Sequence, residues 1–210
     1  MKINKLKIGK GAIYICVTAL TLILLYNISY APDAAKSFGE QQAKVLSEAG
    51  DGVVATIDGE KITKKGFDTY KLFLNSGNDK YSDKEILGKI LDRQVVYKEA
   101  LKEGITVSDT EISNAINVAK ETLSSFPEQD AAFKEYIKGL NFTEEQYWES
   151  VKSVYEKALI IGKYKNSLKD KLAKDNNITD KIELDAKFKA VYDQQVKDLE
   201  NNAEIESTIK

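Results

Sequence analysis

The sequence predicts a mainly α-helical domain with a small β-hairpin, set behind an N-terminal transmembrane helix. Three observations predict it: an uncharged apolar run at residues 11–32, one strand-turn-strand pattern at Val53–Thr63, and three helix-start signals ahead of long amphipathic stretches. The 210 residues are 42% hydrophobic and 30% charged, enough for one packed domain besides a leader and a linker. Of the two prolines, Pro32 lies at the end of the leader and Pro127 is read as a loop residue, so helix interiors are free of breakers.

The leader divides into a basic stretch, residues 1–10, and the apolar run, residues 11–32. The 22 uncharged residues from Gly11 to Pro32 make a helix of about 33 Å, enough for a bilayer core of about 30 Å. Lys2, Lys5, Lys7 and Lys10 hold their end in the cytoplasm and direct everything after Pro32 outside. Tyr26 and Tyr30 stand where an interfacial aromatic belt belongs and favour a retained signal-anchor. Cleavage after Ala31, within Ser29-Tyr30-Ala31, is the competing route and would release a secreted domain; Pro32 just after the cut opposes it.

Cys16 is the only cysteine and lies in the apolar run, so disulfides do not hold the exported part together. Removing the four leader lysines from the formal net charge of −2 leaves −6 outside. A mildly acidic domain is a poor nucleic-acid binder, and that class is excluded.

Residues 33–52 are small and polar, and they read as a partly helical spacer or a flexible tether. The domain then occupies residues 53–210. Val53–Ile57 reads as a strand, Asp58-Gly59 as a two-residue hairpin turn, and Glu60–Thr63 as the return strand. Ser82-x-x-Glu85, Ser108-x-x-Glu111 and Thr143-x-x-Gln146 fit the capping box, in which hydroxyl and carboxylate or amide satisfy two orphan amides reciprocally. The patterning predicts helices over Lys64–Leu74, Asp83–Glu103, Asp109–Ser125, Gln129–Gly139, Glu144–Ala173 and Lys181–Asn201. Gly104 reads as a helix C′ residue. The tail Ala203–Ile209 alternates at period two, which predicts a last strand that joins the hairpin.

The hairpin at Val53–Thr63, followed by the helices containing Ile86–Ala100 and by Gly104–Ile112, resembles the N-terminal domain of SurA and the related PrsA foldases. The resemblance covers roughly residues 53–173 and rests on the order of these elements. It implies an extracytoplasmic, bacterial chaperone that binds unfolded or newly exported polypeptides. Parvulin isomerase domains of such foldases use histidines in about 90 residues; this chain has no histidine, and only residues 175–210 follow the long helix. The expectation is therefore a holdase without prolyl isomerase activity, not an enzyme.

The missing histidine also removes zinc sites and Ser-His or Cys-His nucleophiles, so no metal or cofactor is expected. Asp175–Asp180 lacks the turn glycine and the bidentate glutamate of a calcium loop and reads as a helix cap. No phosphate-binding glycine pattern occurs, and no small-molecule substrate is expected. Tyrosine and other aromatics suit a surface that tolerates many sequences. The candidate polypeptide-binding residues are Phe67, Tyr70, Phe73, Phe126, Tyr147, Trp148 and Tyr155, with core packing as the competing reading. An anchored module for one dedicated envelope, secretion or sporulation partner is the alternative function.

Overall fold

The computed structural model describes residues 32–50, 52–77 and 79–209; apart from Pro32, the expected span at 11–32 lies outside them. Among the described residues, eight helices and three strands follow in order: α1 (Pro32–Glu48), β1 (Val53–Ile57), β2 (Glu60–Thr63), α2 (Lys64–Leu74), α3 (Asp83–Lys102), α4 (Asp109–Ser124), α5 (Pro127–Gly139), α6 (Glu144–Ser150), α7 (Lys152–Asp175), α8 (Lys181–Asn201) and β3 (Ile205–Ser207).

The hairpin forms because Asp58 and Gly59 both take positive φ, 45° and 77°, the geometry of the tight turn whose twist matches its strands. β1 pairs antiparallel with β2, and a bulge falls between Val53 and Ala55. β3 joins the other edge of β1, with Thr56 opposite Glu206, giving the sheet order β2-β1-β3. The expected closing strand is therefore present. Asp58 clasps it: its carboxylate accepts from the Glu204 amide at 2.9 Å, while Lys98 donates to Asp58 at 3.2 Å and to the Ile57 carbonyl at 2.9 Å. These contacts hold the Asp58 carboxyl below its ordinary range, the Glu204 amide most of all.

All three capping boxes form. Ser82, Ser108 and Thr143 accept from the amides of Glu85, Glu111 and Gln146, whose side chains accept from the cap amides in return. Three helices also end alike. Gly104, Asn141 and Asn177 adopt positive φ. The amides of Ile105, Phe142 and Ile178 then reach back to Ala100, Ile137 and Ala173, a Schellman closure in each case. Gly104 was legible in the sequence; the two asparagines, which tolerate this conformation, do the same work.

Two helix boundaries differ from expectation. α5 begins at Pro127 rather than Gln129, because a proline at the first helical position forfeits an amide that has no partner anyway. The helix expected over Glu144–Ala173 is two helices broken at Val151. The Ser150 hydroxyl donates to the Tyr147 carbonyl at 2.7 Å and competes with the backbone ladder there.

Two cores result. The sheet core joins Ala55, Ile57 and Ile62 to Phe67, to the buried face of α3 and to Ile160, Tyr164 and Val196. The helical core gathers Phe38, Phe133, Tyr136, Tyr147, Trp148 and Tyr155 with small and aliphatic residues of α4 and α5. α7 serves both, with Tyr155 and Leu159 in one and Ile160 and Tyr164 in the other.

The largest departure from expectation is the segment 33–52. Pro32–Glu48 is a helix packed along α5, not a spacer or a tether. The two helices touch backbone to backbone at Gly39 and Gly139. A Cβ on Gly39 would lie 2.2 Å from the Tyr136 carbonyl oxygen, and one on Gly139 would lie 2.2 Å from that of Lys36. Ala35 and Phe38 are buried beside this crossing.

Candidate functional site

The seven aromatic candidates separate into interior and surface. Phe67, Tyr147, Trp148 and Tyr155 are each 5% exposed or less, which corrects them from binding surface to core. The physical reason is ordinary: aromatics at helical spacing supply the largest apolar areas available to fill an interior. Tyr147 and Trp148 are brought together at 5.2 Å, both against Phe133 at 5.0 and 5.4 Å. The indole nitrogen of Trp148 donates to Glu144 at 3.1 Å, which satisfies its one polar atom. Burial pushes the Tyr147 hydroxyl well above its ordinary range.

Tyr70 and Phe73, three residues apart on α2, are both half-buried: Tyr70 packs on the sheet core and Phe73 on the helical core. Phe126 alone is well exposed, at 50%, where it precedes α5 without a side-chain cap. No single surface unites the seven.

A cleft of about 760 Å³ opens elsewhere, between α1 and α2. Ala34, Ser37, Phe38, Gln41 and Val45 line one wall, and Leu72 contributes to the other. Phe38 forms its floor and is held from behind by Phe73, ring centres 5.2 Å apart, and by Tyr136 at 6.0 Å. The Tyr136 hydroxyl donates to Gln42 at 2.5 Å and ties α1 to α5 beneath the cleft. Burial drives this hydroxyl far above its ordinary range.

The charges at the cleft are already matched. Asp68 pairs with Lys64 at 2.5 Å, and Lys71 pairs with Asp83 at 2.5 Å. The cleft thus offers apolar and neutral polar surface rather than reactive groups. A second opening of about 520 Å³ lies between α4 and α6, where Lys120 stands over the Trp148 ring at 5.5 Å. Its lining carries Lys120, Glu144, Glu145 and the Lys152–Glu149 pair at 2.5 Å.

Among the described residues, no group of three or more potential metal-ligating side chains gathers. Asp180, at the end of the stretch weighed against calcium, caps α8 by accepting from the Glu183 amide at 2.8 Å. None of the described helices is long and apolar enough to cross a membrane.

The cleft residues went unnoticed in the sequence because their segment looked like a spacer. The signal was there: positions 34, 37, 38, 41 and 45 recur at helical spacing and make one face. Comparison with protein-family models, with curated proteins and with solved structures yields no match.

Proposed function

We propose that this protein is a membrane-anchored, extracytoplasmic chaperone of the holdase type, related to the SurA N-terminal-domain family. It would bind unfolded or newly exported polypeptides without prolyl isomerase activity, cofactor or metal. The observation that carries this reading is the chain order: a hairpin, a helical array, then a C-terminal strand that returns to β1. Shielding of client segments needs an accessible apolar surface and no reactive group, and the cleft between α1 and α2 supplies such a surface. The basic residues 1–10 and the apolar run at 11–32 support a single-pass anchor with the domain outside.

The test is aggregation of two or three unrelated proteins, followed by light scattering, with the full-length chain in lipid nanodiscs added at increasing ratios. A holdase suppresses scattering of all of them, and suppression of none removes the reading. A second reading, an interaction module with one dedicated partner, draws support from the burial of Phe67, Tyr147, Trp148 and Tyr155. That burial leaves less aromatic surface for promiscuous binding. A crosslinking pull-down from membranes that returns one stoichiometric protein would favour it.

A further inference from the structure

We propose that the cleft between α1 and α2 is a docking groove for an extended, uncharged segment of an unfolded polypeptide, an inference that rests on the chaperone reading above. Its length admits a short extended chain. Ala34 to Val45 lie on one face of α1 and span about 16 Å of helix, the length of about five residues of strand.

Its chemistry selects a neutral one. Asp68 and Lys71 are the charged residues of the lining, and each is committed to an ion pair of its own, with Lys64 and with Asp83. A charged segment entering the cleft would give up water and find no uncommitted counter-charge. A neutral segment loses nothing of the kind. Ser37 and Gln41 stand at exposed positions on the wall, and their hydroxyl and amide can pair with the N–H and C=O groups of an extended backbone. Val45 and Leu72, half-buried over the buried Phe38 ring, present the apolar surface on which alternate side chains of that strand can rest.

The groove is also pre-formed. The contact of Gly39 with Gly139 and the hydrogen bond from Tyr136 to Gln42 hold α1 in place, while Phe73 and Tyr136 fix the Phe38 ring. A wall that is already ordered costs less to bind against than one that must be ordered by the ligand.

The experiment places a photo-crosslinking amino acid at Gln41 and, as a control, at Lys187 on the far helix α8, in the full-length chain in nanodiscs. The probe is a reduced and amidomethylated protein that cannot refold. Labelling at Gln41 is expected to exceed that at Lys187 by about tenfold, the margin that 1.4 kcal/mol of preferential binding provides. In parallel, Gln41→Glu and Gln41→Lys are each expected to weaken binding of the same probe about tenfold, because either charge would be desolvated without a partner. Gln41 is exposed, so both variants should keep the wild-type circular dichroism spectrum, which is recorded first.

Equal labelling at the two positions overturns the groove. So does an opposite response of the two charge variants, which would mark a charged ligand. Suppression of aggregation with crosslinks elsewhere overturns the groove and leaves the chaperone reading standing. Neither suppression nor crosslinking overturns both.

Discussion

The sheet core and the helical core share α7 and differ in nearly everything else. The sheet core is mostly aliphatic, built on Ile57, Ile86, Val95, Val96 and Ile160, and it closes only when β3 returns from the far end of the chain. The helical core is aromatic, with Phe133, Tyr136 and Trp148 gathered around the Tyr147 ring, and most of it comes from the neighbouring helices α4 to α6. Its contributions from earlier in the chain are α1 and, through Leu72 and Phe73, α2. Each core is therefore a local nucleus completed by an outlying element: β3 for the sheet core, α1 for the helical core. Both are structural parts here, and the proposed groove exists only because α1 docks.

That comparison can be broken at four places. The largest effect is expected at Trp148→Ala, which removes the largest buried ring of the aromatic cluster. A buried tryptophan truncated to alanine costs about 4 kcal/mol, read as a lower urea midpoint. Little change would return Trp148 to the surface reading. Next is Gly139→Val, whose side chain would meet the Lys36 carbonyl oxygen where even a Cβ sits at 2.2 Å. Overpacking at a backbone contact costs about 3 kcal/mol, and hydrogen exchange should accelerate in α1 more than in β1. A spacer at 33–48 would make the substitution silent.

Third, ending the chain after Asn201 strips β3 from β1 and removes the partly buried Ala203 and Ile209 from the sheet core. At about 25 cal/mol per Å² of apolar surface the loss is about 2 kcal/mol, visible as a melting temperature lowered by several degrees. Exchange should then quicken in β1 and β2 while α5 and α6 stay protected.

The smallest effect sharpens the comparison through pH. Burial first, and the hydrogen-bonded neighbour Asp92 second, push the Glu200 carboxyl at the α3–α8 contact up to about 7. A raised carboxyl favours folding in its protonated form. Its contribution is full below the ordinary carboxylate range and is lost as pH rises through about 7. The group is partly solvated, so the change stays near or below about 1 kcal/mol. Urea midpoints measured at pH 5.5 and 8.5 should fall with pH for the native chain and converge for Glu200→Gln. Parallel slopes would remove the carboxyl pair as the cause.

The legible parts of the fold were those written in local chemistry. Asp58-Gly59 names its turn because few dipeptides accept positive φ twice. Ser82, Ser108 and Thr143 name helix starts because a capping box is complete within four residues. The split at Val151 was hidden, since Ser150 can hydrogen-bond the ladder or face solvent, and packing of Tyr147 and Trp148 chooses between them. For the aromatic candidates the pattern showed a face but not what covers it. Tyr147 and Phe126 are both aromatic and both flank helix starts, yet one is interior and the other half-exposed.

By itself, then, the sequence determined the helical class, the hairpin, the capped helix starts and the absence of histidine chemistry. All of these follow from residue identity and spacing within a few turns of chain. Only the tertiary structure decided that α1 belongs to the domain and where the cleft opens. Those facts depend on Gly39 meeting Gly139 and on Phe38 meeting Phe73, contacts between residues 100 and 35 positions apart. Docking across such separations rests on the summed burial of many side chains. No local pattern records that sum.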